Sequence, residues 1–389
     1  MRKPAGKGGQ EREDLLGILS MFLISRGAIL LIGFIALGTI APGPYSYLQS
    51  SGYSGNALKD VITMGVRFDS GVYLSIVNKG YVYDPSGATN PPANVAFFPL
   101  YPLLIWLLGS TGLSYKAAAA IISNLCALGF SFMLFKLLSM DFSPSDSKRA
   151  VLYVLIFPVS FFFSAVYTES LFLLLTVSSF YFARKSNWLA SGALGGLSAL
   201  TRPTGFLLFL PLAFEYLYQK RFDLRQARPN ALALLLVPLG TLLFMAYCQA
   251  QFGDALAFAH STAQRNGQSA LSGQTLNLFK TLFRQDPNDA PFPMNYVYLS
   301  TALSAIAISF ASFKFLRTSY AIYAVLFVFA AFGLGRIEGI MRYSAAVFPL
   351  FAMLAIAGRN RTVDIAITSL FLVLLSLFTT MFVLGYKMW

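Results

Sequence analysis

Long apolar runs alternate with short polar breaks along most of this chain, and the charges gather in the breaks. A membrane-crossing helix needs about 20 mainly apolar residues. Runs of that character fall at roughly 17–41, 115–139, 150–167, 169–184, 187–201, 203–219, 230–251, 294–313, 318–335, 340–358 and 363–385. The pattern predicts an all-α polytopic membrane protein of about 11 spans, several of them short. Residues 1–389 read as one integral-membrane domain, with longer segments outside the spans at about 42–114 and about 252–293.

The first of these segments has its own apolar pattern. An amphipathic helix is expected to begin near Ser70. The run from Phe97 to Trp106 is too short to span and carries Pro99 and Pro102, so it suits an interfacial or re-entrant helix. Asp84 to Pro92, with Pro85, Gly87, Pro91 and Pro92, is turn-rich. No repeat or heptad is visible, which counts against an inverted-repeat transporter.

Composition agrees with a membrane protein: 56% of the 389 residues are hydrophobic and 12% charged, against about a quarter charged in soluble domains. Mean hydropathy is +0.63. The net charge of +13 describes topology, because the basic residues form short clusters between apolar runs. With Arg2, Lys3, Lys7 and Arg12 placed in the cytoplasm, alternation puts these inside: Lys148 and Arg149; Arg184 and Lys185; Lys220, Arg221, Arg225 and Arg228; Lys314 and Arg317; Arg359 and Arg361. No basic tract with interleaved aromatics offers a nucleic-acid surface, and membrane lipids with anionic headgroups are the secondary partner. Cys126 and Cys248 are isolated in apolar runs, without disulfide or metal-site spacing. The first apolar run is too long for a signal-peptide core and is expected to stay as a helix.

The face opposite the cytoplasm holds fewer polar residues, and they are more selective. Among them are Arg67 and Asp69 in the first loop, Glu169 after Tyr167-Thr168, Arg202 before Pro203, His260 and Arg265 in the second loop, and Arg336, Glu338 and Arg342. Charged residues near hydrocarbon cost about 2.5–3.5 kcal/mol each and are usually paired or functional. Each has a plainer reading. Asp69 is well placed to cap the helix beginning at Ser70. Glu169 suits a helix N-terminus, Arg202 an interfacial anchor. Glu338 and Arg342 can pair at i,i+4, leaving Arg336 the freer cation, and His260 reads as a surface residue.

The chain resembles the GPI mannosyltransferase II (PIG-V-like) family and its prokaryotic relatives, within the GT-C class of membrane glycosyltransferases. The resemblance rests on Arg67-Phe68-Asp69-Ser70-Gly71-Val72-Tyr73-Leu74-Ser75-Ile76 with Gly80-Tyr81, on Phe97-Phe98-Pro99-Leu100-Tyr101-Pro102, on Phe157-Pro158 with Tyr167-Thr168-Glu169-Ser170, and on Leu200-Thr201-Arg202-Pro203-Thr204-Gly205. A weaker echo follows in Arg342-Tyr343 and Phe348-Pro349-Leu350. It implies a GT-C-like helical bundle with interfacial helices in a long first extracytoplasmic loop. It also implies a polyprenyl-phosphate sugar donor, typically phosphomannose, and an acidic residue in the first loop near the catalytic centre, which maps onto Asp69. Phe68 stands where Trp is at least as common.

These readings converge on a mannosyltransferase in which Asp69 is the general base for an acceptor hydroxyl. Arg202, Arg336 and Arg342 are candidates for the donor phosphate, with Arg67 a fourth cation or Asp69's partner, and Tyr167 and Glu169 line the site. The acceptor is a lipid or glycan. No metal or other cofactor is expected, since the leaving group is a phosphate monoester faced by arginines. The expected setting is a prokaryotic plasma membrane with the site extracytoplasmic, or the equivalent lumenal site in an ER membrane. The competing class is a transporter or flippase of a lipid-linked sugar, which tends to place ionisable groups near the bilayer midplane.

Overall fold

In the computed structural model, which describes residues 7–41, 54–85, 93–265, 294–334 and 339–386, no strand occurs among those residues. Its α-helices in order are α1 (Lys7–Thr39), α2 (Ala57–Ile62), α3 (Ser70–Lys79), α4 (Leu100–Gly109), α5 (Tyr115–Leu138), α6 (Pro144–Leu155), α7 (Glu169–Arg184), α8 (Trp188–Ala199), α9 (Phe209–Gln219), α10 (Leu236–Phe252), α11 (Ala257–Arg265), α12 (Met294–Phe315), α13 (Thr318–Leu334), α14 (Ile340–Ala345), α15 (Phe348–Ala357) and α16 (Arg361–Val383). The interfacial helices expected in the first long loop correspond to α3 and α4.

Five described helical runs are long and apolar enough to cross a membrane: Gly9–Thr39, Tyr115–Leu138, Pro229–Phe252, Met294–Phe315 and Arg361–Val383. The chain is an integral membrane protein. Several of the roughly 11 expected spans are shorter because the backbone breaks within them. In the 150–167 run, α6 ends at Leu155 and Ser160–Phe163 form a 3₁₀ turn. Pro158 cannot donate a helical hydrogen bond and biases Phe157 away from the helical region. Pro203 opens a 3₁₀ turn over Pro203–Leu208 before α9, and α14 and α15 divide the 340–358 run.

The α6 break accounts for Arg26. From sequence it lies near an inner helix end; in the structure it is buried, and its guanidinium donates to the carbonyls of Ser160 and Leu155 at 2.7 Å each. It therefore satisfies backbone acceptors freed where the helix stops.

At the centre, α7 packs between α5 and α8, and α8 packs on α10. Gly192 and Gly196 on α8 allow that last approach: a Cβ on either would overlap a backbone carbonyl, of Ala233 or of Leu236. One end of the bundle is laced by ion pairs of Lys148 with Asp14, Arg184 with Asp141, Arg317 with Glu215, and Arg149 and Arg359 with Asp146. This is the basic end. The first residues of α3 and α7 and the turn after α8 lie at the other end.

Candidate active site

Asp69 immediately precedes α3, yet its carboxylate makes no capping hydrogen bond to that helix. It faces cations from distant parts of the chain instead. Arg342 Nη1 on α14 donates to Asp69 Oδ2 at 3.0 Å, and Arg265 Nη2 at the end of α11 reaches Oδ1 at 3.5 Å. The Asp69 side chain keeps 16% of its surface exposed, so a substrate group can still reach it. Phe68 holds φ at +52° just before it, a left-handed conformation that is costly for a bulky residue and recurs at functional sites.

Behind Asp69 stands a second carboxylate. Glu169, the first residue of α7, has a fully buried side chain, and one of its oxygens, Oε1, meets both Arg202 Nη2 and Arg342 Nε, the latter at 3.3 Å. Arg202 also donates from Nε to Thr168 Oγ1 at 3.0 Å. Its extended backbone is the conformation favoured before a proline. Arg342 additionally lies over the rings of Tyr167 at 5.4 Å and Phe162 at 5.6 Å, within cation–π range. Two carboxylates and three guanidiniums thus form one continuous cluster, with Arg342 touching both acids.

The loop that carries Asp69 is joined to the α6–α7 break. Val166 N donates to Gly65 O at 3.0 Å and the Tyr167 hydroxyl to Arg67 O at 3.0 Å. Gly65 favours this close approach, since a Cβ would lie a tight 3.1 Å from Ala165 Cα. Tyr73 on α3 adds a hydroxyl contact of 3.3 Å to Thr168.

Of the sequence-derived residues, the structure brings together Asp69, Glu169, Arg202 and Arg342, with Tyr167 as their aromatic wall. Arg67 is not Asp69's partner. Its Nη1 donates to the carbonyls of Thr63 at 3.1 Å and Val66 at 2.9 Å, so it braces its own loop. Burial pushes its pKa down, opposed by the charge of Asp60. Arg336 and Glu338 lie outside the described residues, and Arg342 pairs with Asp69 and Glu169. His260 is exposed, as expected, with its ring on Asp254 at 2.7 Å. Arg265 was visible in the sequence only as one outer cation among several. Its partner is 196 residues away, beyond the reach of any periodicity. Among the described residues, no group of three or more His, Cys, Asp or Glu has a metal-binding arrangement.

A family profile described as mannosyltransferase (PIG-V) matches residues 32–267. The chain belongs to this family. The match takes in α3, α7, the Arg202 turn and α11, and therefore every residue of the ionic cluster except Arg342. Within the PIG-V family, the GPI mannosyltransferase 2 of Yarrowia lipolytica is 27% identical over 183 residues, covering 46% of this chain and 48% of the relative. The chain thus matches about half the length of that relative. Among solved structures it is similar to the apo oligosaccharyltransferase of Archaeoglobus fulgidus, with TM-score 0.46 and 14% identity over 95% of this chain and 56% of that one. It is also similar to ArnT of Cupriavidus metallidurans bound to undecaprenyl phosphate, with TM-score 0.42 and 11% identity over 93% and 77%.

Proposed function

We propose that this PIG-V family protein transfers mannose from a polyprenyl-phosphate donor to a hydroxyl of a lipid or glycan acceptor, with inversion at the anomeric carbon. The observation that carries the reading is the Asp69 carboxylate held against Arg342 and Arg265, with Arg202 and Glu169 directly behind. A general base and a set of phosphate-binding cations are what such a displacement needs, side by side. The basic end faces the cytoplasm by the distribution of Lys and Arg, so the site opens on the extracytoplasmic side.

In the reaction, the acceptor oxygen attacks the anomeric carbon while the bond from that carbon to the phosphate oxygen breaks. Asp69 takes the hydroxyl proton, and the lipid phosphate leaves carrying the electron pair. A β-linked donor gives an α-linked product. The resting geometry also suggests an order of events. Both carboxylate oxygens of Asp69 face a guanidinium, which leaves little room for an acceptor hydroxyl to reach them. An arriving phosphate, which matches arginine well, competes for Arg342 and Arg265 and leaves Asp69 to the acceptor hydroxyl. Donor binding therefore precedes base action. The scheme uses no metal, because the arginines oppose the charge that develops on the leaving monoester.

The test is transfer of label from radiolabelled polyprenyl-phosphomannose by purified protein in nanodiscs, beside Asp69→Asn. Transfer by wild type and its near-complete loss in a folded Asp69→Asn variant is the expected outcome. Sustained turnover in Asp69→Asn removes the base assignment. Absence of both transfer and donor hydrolysis across lipid and glycan acceptors favours a carrier of lipid-linked sugars.

A further inference from the structure

Arg265 reaches Asp69 from the last residue of α11, a helix of only nine residues. A helix this short is marginal by itself and must be held by its surroundings. Its contacts show how. Ala257 and Ser261 are buried, and Arg265 continues the same four-residue spacing, so all three share the face turned to the body of the protein. Phe258 packs edge-on to Phe98, with ring centroids 5.2 Å apart. Near the far end, Gln264 Nε2 donates to Pro85 O at 2.8 Å.

The near end is organised by one carboxylate. Asp254 Oδ1 accepts from Leu256 N at 2.9 Å. Its Oδ2 accepts from the Tyr83 hydroxyl at 2.7 Å and lies 2.7 Å from His260 Nδ1. A single side chain thus ties the residue before α11, the first turn of that helix and the Tyr83 segment of the first long loop. The hydrogen bonds from Tyr83 and His260 hold the Asp254 carboxyl below the ordinary carboxylate range, as expected for acceptors that favour the ionised form. At the other end of the same helix, Arg265 lies over the Phe97 ring at 4.7 Å while it meets Asp69.

We infer that Asp254 is a positioning residue, fixing α11 so that Arg265 stands beside Asp69 and in the path of the donor phosphate. The positional claim stands on these contacts, whereas its kinetic meaning rests on the transfer reaction proposed above. His260, the chain's only histidine, becomes a brace of this anchor.

The experiment compares Asp254→Ala, Arg265→Gln, the double variant and Tyr83→Phe in nanodiscs by donor kinetics and by hydrogen exchange over residues 257–265. Asp254→Ala is expected to raise the donor KM about tenfold with kcat within about twofold, the pattern of lost binding contacts. The double variant should be no worse than Arg265→Gln alone, since two residues acting through one contact are not additive. Exchange across α11 should rise about tenfold in Asp254→Ala and less in Tyr83→Phe, with α5 and α7 unchanged. Additive kinetic losses, or unaltered exchange across α11 in both anchor variants, would overturn the inference. A wild-type protein without transferase activity defeats the proposed function instead, and the exchange measurement still decides whether Asp254 holds α11.

Discussion

Replacing Arg342 by Gln removes the cation that joins the two carboxylates of the site. Its guanidinium lies 3.0 Å from Asp69 and 3.3 Å from Glu169. At an effective dielectric of about 20 these separations correspond to gross attractions of about 5.5 and about 5 kcal/mol. Desolvation of a buried ion costs several kcal/mol in the opposite direction, so the net structural contribution is far smaller. Stranding a buried charge costs about 3–5 kcal/mol. Here Glu169 retains Arg202 and Asp69 retains Arg265 together with some solvent contact, which brings the expected loss of stability to about 2 kcal/mol. The effect on transfer should be larger. Loss of one donor aimed at a developing anion lowers kcat about 10²–10³-fold. Arg342→Lys keeps the charge without the planar fork and should recover part of that loss. The assay is label transfer at saturating donor, paired with thermal unfolding of the same nanodisc preparation. Transfer by Arg342→Gln within about threefold of wild type would refute the assignment of this arginine to the leaving phosphate.

Three further outcomes are expected. Glu169→Gln leaves Arg202 and Arg342 without their shared buried counter-charge; unfolding should shift down by about 3 kcal/mol, read by chemical denaturation, and donor KM should change with it. Arg67→Gln removes the bonds to Thr63 and Val66 carbonyls but no contact to Asp69; these charge-assisted bonds, each worth about 1.5–3 kcal/mol, brace the loop rather than the reacting groups, so transfer by the folded variant should fall less than about tenfold. The third concerns pH. Because the Asp254 carboxyl is depressed from its ordinary value of 3.8, its contribution is fully present above that value and is lost as pH falls through the lower folded-state pKa. Pulse-labelled exchange across α11 should therefore be protected at pH 7 and at pH 5 and lose that protection only below about pH 3.8.

The membrane class, the α3 and α4 segments of the first loop and the acid at which the ionic cluster gathers, Asp69, were legible in the sequence, and for one reason. In an apolar chain a lone acid is conspicuous, and helical hydrophobic runs need only local information. The breaks were harder. The run at 150–167 looks continuous in hydropathy, and only Pro158 betrays that α6 stops at Leu155. Arg67 looked like Asp69's partner because it is two residues away, but adjacency in a tight loop turns side chains apart as readily as together. Arg265 was the opposite case, an outer cation with no partner legible in the sequence, whose contact to Asp69 depends on α11 lying across the first loop. Arg26 had a local reading as an inner-end anchor, whereas its acceptors come from the carbonyls of α6 and the turn after it. Partnerships of this kind carry no periodic signal.

The span between Asp69 and Arg342, 273 residues, has a consequence for how the protein is made. At about 5–20 residues per second, translation separates the emergence of these two side chains by roughly 14–55 seconds. During that interval the carboxylate has already been synthesised while α14 has not. A nascent chain therefore carries the acid without its Arg342 partner, and the pair can form only once α14 has been made. Any chain terminated before α14 lacks the side chain that bridges Asp69 and Glu169.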